Sequence, residues 1–319
     1  MGIEGAFDAY QKTVDADPDQ VKLARDRRDA FKAALRDTDV DDVWGSGSLR
    51  RATQLKPVHD VDLVVEFSRE AYPDWGQPGD SSEAALDLVH DRVKAALGDP
   101  GGSEEEWVRR ADPRDRAVKC FLDDPDDPDG FTVDVMPALR QDDDTLLIPG
   151  KGHACWIVAD PEYLIERVEK RQQAWSYYRP LVRVLKQWRR GVSADKPVKS
   201  LVIEVLALEC LPAGPTRSSA LSSFFTSAAF RVNEPIEDPA GHCGPIQPDL
   251  DVDALRDACE EARELAAAAM TAEDNDDFDE AKRLWRTILG ADFPAPAKAK
   301  KTGATLIGSG YAVRDVPQG

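Results

Sequence analysis

Apolar positions along the chain switch between two periods. Val21, Leu23, Ala24, Phe31, Ala34 and Leu35 recur as a helix requires. Asp17-Pro18 ahead of them has the form of an N-cap with proline at the first helical position, so a helix is predicted to about residue 37. The pattern then shortens to that of strands, one around Val40–Trp44 and one over the Val- and Leu-rich Val61–Phe67, with a turn-forming loop between them. Residues 69–81 carry Pro73, Gly76, Pro78 and Gly79 and are predicted as loop. Ala85, Leu86, Val89, Val93 and Leu97 space a helix from about Ser82 to Leu97. AVKCFL (117–122) and FTVDVMPAL (131–139) read as strands joined by the acidic turn DDPDDPDG.

After about residue 160 helical spacing takes over. It runs through YLIERVEKRQQAWSYYRPLVRVLKQWRR, SLVIEVLALECL, VDALRDACEEARELAAAAM and FDEAKRLWRTILG. The tail from Pro294 is rich in Ala, Lys and Gly and is predicted to be flexible. No internal repeat is evident. The pattern therefore predicts an α+β chain: a mixed-sheet core with its N-terminal helix over 1–160, a helical domain over 161–294, and a flexible tail over 295–319.

Composition narrows the class. The chain has 319 residues, 42% of them hydrophobic and 32% charged, which suits a sizeable core beneath a polar surface. The longest apolar run, LVIEVLALECL (201–211), is interrupted by Glu204 and Glu209 and falls short of the ~18 residues that span a bilayer. MGIEGAFDAYQ lacks the basic start and apolar core of a signal peptide. The expectation is a cytoplasmic protein. Cys120, Cys155, Cys210, Cys243 and Cys259 form no C-x-x-C pair and suggest reduced thiols. HACW (153–156) and His242-Cys243 do not supply the four recurrently spaced ligands of a structural zinc site. A net charge of −19 repels nucleic acid at long range, so a long duplex is a poor substrate without a local basic patch.

The chemistry concentrates in two short stretches. Side chains two apart on a strand share a face, so Asp60 and Asp62 project together while Val61 and Leu63 turn to the core. Asp134 likewise points away from Val133 and Val135; if the two strands are neighbours, three carboxylates converge. Such a cluster needs a compensating cation, and oxygen-only ligands select hard ions such as Mg²⁺. A pair of such ions about 4 Å apart serves phosphoryl or nucleotidyl transfer. Asp-x-Asp alone is equally compatible with an exposed edge strand.

Upstream, VWGSGS carries two Gly-Ser pairs, and a Gly-Ser turn after a strand can offer amides and a hydroxyl to phosphate. Arg50, Arg51 and Lys56 add positive charge nearby. Farther on, Arg179, Arg183, Lys186 and Arg190 fall on one stripe of a helix, with Leu181, Leu185 and Trp188 opposite. Such a stripe is commonly a solvated face; in a chain this acidic, facing three aspartates, triphosphate binding is the better reading. Ser200 opens the next helix, where it can donate a hydroxyl to phosphate or simply cap.

Gly47-Ser48 with Thr53, then Asp60-x-Asp62, then Asp134-Val135-Met136-Pro137 resemble the polymerase β-like nucleotidyltransferases. Within them the pattern is similar to the bacterial cyclic GMP-AMP synthase-like branch, the CD-NTases of CBASS anti-phage systems. LVRVLKQWRR followed by VKSLVIEVL, Asp238-Pro239, and residues 280–294 extend the likeness over roughly residues 20–294. Met136 stands where the family often has a second Val.

The resemblance implies a polymerase β-like core and nucleotidyl transfer from NTPs with loss of pyrophosphate. Asp60, Asp62 and Asp134 would be the catalytic, metal-binding carboxylates for two Mg²⁺ ions, with Mn²⁺ as a substitute. Gly47, Ser48, Lys186 and Ser200 would hold the donor triphosphate. Repetition would close a cyclic di- or trinucleotide that signals to a defence effector. It further implies possible conjugation by ubiquitin-like machinery through Gly319, beside the alternative of a tail that merely ends in Gly. The rival functions are a linear oligoadenylate-type synthase and a catalytically idle nucleotide-binding regulator. No zinc insertion of the DNA-sensing animal relatives is apparent. In the family a Thr follows the functional Ser by five positions, so Thr53 selects Gly47-Ser48 and leaves Gly45-Ser46 as the strand exit.

Overall fold

The Val- and Leu-rich stretch after the doubled Gly-Ser turn forms the centre of a sheet. In a computed structural model, which describes residues 2–98, 107–150, 152 and 155–297, the chain opens with α1 (Ile3–Val14) and α2 (Pro18–Leu35). There follow β1 (Val40–Ser46), the single-turn α3 (Gly47–Arg51), β2 (Asp60–Phe67), α4 (Ser81–Leu97), β3 (Arg110–Pro113), β4 (Val118–Phe121) and β5 (Thr132–Arg140). After β6 (Leu146–Pro149) and β7 (Trp156–Ala159) the chain is helical: α5 (Pro161–Ala174), α6 (Tyr178–Arg189), α7 (Ser200–Cys210), α8 (Arg217–Arg231), α9 (Val252–Asp274) and α10 (Phe278–Leu289).

The sheet runs β1-β2-β5-β4-β3, with β6 and β7 added beyond β5. Its central pair, β2 and β5, is parallel and the other pairs are antiparallel. The mixed α+β class expected from the pattern is the one observed. Val61, Leu63, Val65, Val133 and Val135 bury one face of the sheet against Phe31 and Leu35 of α2 and Leu86, Val89 and Val93 of α4. Asp17 caps α2 by accepting the Asp19 N–H at 2.8 Å, with Pro18 in the first turn. The helix stops at Leu35, and Leu23 stays on its exposed side.

A second core joins the later helices to α1. Phe7 and Tyr10 pack with Trp285 and Phe293 among Leu181, Leu185, Trp188, Phe224 and Phe225. The Tyr10 hydroxyl donates to the Leu289 carbonyl at 3.0 Å. The first helix of the chain thus packs into the C-terminal helical core.

The single helical run expected over 163–190 is two helices, broken at Trp175–Tyr177. The cause is Pro180: in a continuous helix its ring would clash with the carbonyl four residues back. In the first turn of α6 its missing N–H costs nothing, because those donors have no intrahelical partner. The cysteines at 120, 155, 210, 243 and 259 are free thiols. Among the described residues no helix is long and apolar enough to cross a membrane. His153 and the tail from residue 298, with Gly319, lie outside the described residues.

Candidate active site

The parallel pairing of β2 with β5 sets Asp62 directly beside Asp134. Asp60 lies two residues earlier on the same face of β2, next to Thr132. All three aspartates line one cleft. Val61, Leu63, Val133 and Val135 point the other way and are buried. Period-two alternation in two short strands thus places three carboxylates together.

That placement has an electrostatic cost. Burial, together with the charges of Asp60 and Asp134, pushes the Asp62 carboxyl up to about 7, against the opposing pull of Arg51. Burial also raises the Asp134 carboxyl; Asp60 adds to this, while Lys119 and Arg114 oppose it. Lys119 stands opposite Asp134 across the β4–β5 pair. One oxygen of Asp134, Oδ1, is buried without a hydrogen-bond partner. Among the described residues, no three His, Cys, Asp or Glu side chains are already drawn into a closed ligand set. The carboxylates therefore share a face on which Arg51, Lys119 and Arg114 only partly offset their charge. An orphaned buried oxygen, surplus negative charge and an all-oxygen donor set fit a hard divalent cation.

The two Gly-Ser pairs separate by structure. Gly45 and Ser46 are still in β1, where Ser46 pairs with Asp62. The strand therefore runs one pair further than Trp44, the end expected from the sequence. Gly47 then turns the chain into α3 with φ of +65°, a left-handed conformation. A Cβ added to Gly47 would lie 1.6 Å from Asp62 Oδ2. Only glycine lets the backbone come this close to the carboxylates. Ser48 follows and lines a cavity of about 440 Å³ together with Asp60, Asp134, Lys186 and Ser200. Ser200 is the first residue of α7, and no side-chain cap is made there.

Lys186 is placed differently from a solvated stripe. It is 4% exposed, and its ammonium donates to Glu204 Oε1 at 2.9 Å and to the Thr53 carbonyl at 2.8 Å. Arg179 pairs with Glu169, and Arg183 with Asp15 at 2.6 Å. The apolar side, Leu181, Leu185 and Trp188, is buried as the spacing indicates.

Glu204 was visible in the sequence only as an interruption of an apolar run. It is 1% exposed and is the hub of the site's support. Arg51 Nε donates to its Oε2 at 2.8 Å, the Thr53 hydroxyl to the same oxygen at 2.9 Å, and Lys186 to Oε1. Burial alone would raise its carboxyl, but Arg51 and Lys186 hold it down at about 2. The available signal was a lone carboxylate inside LVIEVLAL, since a buried charge requires partners.

A larger opening of about 1220 Å³ extends from the carboxylates. Arg114 and Arg116 of the β3–β4 turn, Met136, Leu201 and Ile246 contribute to its walls, enough room for more than one nucleotide. Neither the β3–β4 turn nor the 238–248 loop was singled out as part of a cleft from the sequence. His242 and Cys243, weighed for zinc, instead complete a turn in which Asp238 Oδ2 accepts both backbone N–H groups, at 3.0 and 3.1 Å.

The model of the second messenger oligonucleotide or dinucleotide synthetase (SMODS) domain matches residues 1–172. The chain is 26% identical over 283 residues to a cyclic AMP-AMP-AMP synthase of Acinetobacter sp., covering 83% of this chain and 76% of that one. Its fold is similar to that of CdnC of E. coli MS115-1 solved with ATP, with a TM-score of 0.68, 18% identity, and 92% and 99% of the two chains covered. It also matches apo DncV of Vibrio cholerae, with a TM-score of 0.65, 13% identity, and 93% and 99% covered. These likenesses bear out the mixed α+β class expected from the sequence.

Proposed function

The chain belongs to the second messenger oligonucleotide or dinucleotide synthetase family, and from that membership we propose that it condenses nucleoside triphosphates, releasing pyrophosphate, into a cyclic di- or trinucleotide that signals in anti-phage defence. The observation that carries the proposal is the in-register pairing of Asp62 with Asp134, with Asp60 on the same face and Gly47 against Asp62. The cyclic AMP-AMP-AMP synthase among the relatives makes ATP the first substrate to test.

Asp60, Asp62 and Asp134 would hold two Mg²⁺ ions, with Mn²⁺ able to replace them. Bound there, such ions supply the positive charge that stabilises the attacking and leaving oxygens of an in-line displacement. Ser48 and Ser200 donate their hydroxyls to the donor triphosphate in the cavity they share. Lys186 lines the same cavity, its ammonium held by Glu204 and the Thr53 carbonyl. A hydroxyl of the acceptor nucleotide attacks the α-phosphorus and loses its proton to solvent, the α–β anhydride bond breaks, and pyrophosphate carries away the electron pair.

The test is mass spectrometry and phosphatase digestion of products from mixed NTPs with Mg²⁺, alongside pyrophosphate release. A phosphatase-resistant cyclic product, lost in Asp62→Asn, is expected. A linear, phosphatase-sensitive product would favour the oligoadenylate-type synthase. No pyrophosphate from any NTP mixture would leave only a nucleotide-binding regulator.

A further inference from the structure

The cavity beside the carboxylates holds cations that the roles above leave unused. Along α6, Arg179, Arg183 and Lys186 each have a carboxylate partner. Next come Arg189, the last residue of the helix, and Arg190, its C-cap, which line the cavity with Ser48, Ser200 and Lys119. Among the described residues neither forms an ion pair, although the chain has 60 acidic residues against 41 basic ones. Arg189 is half-buried; one of its terminal nitrogens donates to the Val198 carbonyl, while its Nε is buried with no partner. Arg190, beside it, is exposed and among the described residues its guanidinium donates only to Gln187 Oε1, at 3.1 Å. Burial and the neighbouring Arg190 charge push the Arg189 guanidinium below its ordinary pKa, the mark of an uncompensated cation.

We propose that Arg189 and Arg190 bind the β- and γ-phosphate end of the donor nucleotide and hold the pyrophosphate as it leaves; this rests on the nucleotidyl-transfer function proposed above. Lys186 is already spent on Glu204 and the Thr53 carbonyl. A polyphosphate carrying several negative charges therefore needs further donors, and guanidinium forks suit phosphate oxygens. Asp60 and Asp134, which line the same cavity, repel bare phosphate, whereas the arginines accept it. When the acceptor oxygen bonds to the α-phosphorus, the electron pair of the broken anhydride bond passes to the β-phosphate oxygen. Arg189 and Arg190 neutralise the charge that appears there.

The experiment uses the full chain and inorganic tripolyphosphate as the probe, by calorimetry, with steady-state kinetics on ATP in parallel. Arg190→Gln, at an exposed position that does not threaten folding, should weaken tripolyphosphate binding about tenfold. It should lower kcat/KM about as much, mainly through KM. Arg190→Lys should recover part of both, and Arg189→Lys should show the loss of the planar fork. Binding and KM within twofold of wild type in all three variants, while wild type releases pyrophosphate, would overturn the inference and leave the proposed function standing. Arginine-dependent tripolyphosphate binding in a protein that releases no pyrophosphate would sink the proposed function and keep the polyphosphate pocket.

Discussion

Asp62→Asn should stabilise the metal-free protein at alkaline pH while abolishing its chemistry. The Asp62 carboxyl is held at about 7, where it would ordinarily titrate at 3.8. A folded-state value above the unfolded one means that the native state binds the extra proton between those limits. Stability is therefore lost as pH rises from about 4 to 7, by at most about 4 kcal/mol for this group. Asparagine keeps the shape and removes the charge, though it also gives up the attraction to Arg51, so a net gain of about 1–3 kcal/mol is expected at pH 8. Urea unfolding in EDTA at pH 5 and pH 8 reads this directly: wild type should weaken more than Asp62→Asn between the two. Adding Mg²⁺ at pH 8 should restore wild type by mass action and do little for the variant. An Asp62→Asn protein less stable than wild type at pH 8 in EDTA, or parallel pH profiles, would show that the carboxylates are not in electrostatic conflict.

Gly47→Ala must accommodate a Cβ 1.6 Å from Asp62 Oδ2 at φ +65°; about 1–2 kcal/mol of backbone strain and a displaced carboxylate should cut pyrophosphate release at least a hundredfold while melting curves fall by only a few degrees. Glu204→Ala should cost about 3–5 kcal/mol in urea, because Arg51 and Lys186 are left buried without a counter-charge. Glu204 is held at about 2 against an ordinary 4.5, so its contribution is present above pH 4.5 and is lost as pH falls towards 2; Glu204→Gln should flatten that acid limb, and an unchanged limb would refute the pairing. Ser48→Ala should raise KM for ATP more than Ser46→Ala, since Ser48 lines the cavity and Ser46 lies in β1; the reverse order in initial-rate kinetics would count against the choice of Gly47-Ser48.

The carboxylate face was legible because a strand converts spacing into direction without further information. Asp60, Asp62 and Asp134 needed only the assumption that their strands adjoin, and the β2–β5 register supplies it. Short elements were harder. β3, β6 and β7 are four residues each, too few for a period to show, and α8 hides its buried Phe224 and Phe225 among serines. Lys186 was assigned to the right helix and the right stripe, but periodicity reports a face, not what covers it. Its neighbours come from Thr53 and Glu204, at sequence separations of 133 and 18 residues. The partner of Glu204 was unreadable for the same reason: Arg51 lies 153 residues earlier.

Thr53 connects the legible part of the site to the illegible part. Its N–H donates to the Ser48 carbonyl at 3.0 Å, closing the single turn of α3. Its hydroxyl donates to Glu204 and its carbonyl accepts from Lys186. Thr53, five positions after Ser48, thus bonds both ways: its N–H returns to the Ser48 carbonyl and its hydroxyl reaches α7. Through Glu204 that contact ties the Gly47-Ser48 turn to the helix that begins with Ser200. Two serines 152 positions apart in the sequence, one from each half of the chain, thereby face one cavity. Shortening the 48–53 interval by one residue would move Thr53 out of this position beyond the end of α3. It would then part the turn from Glu204 even though every side chain of the motif was retained.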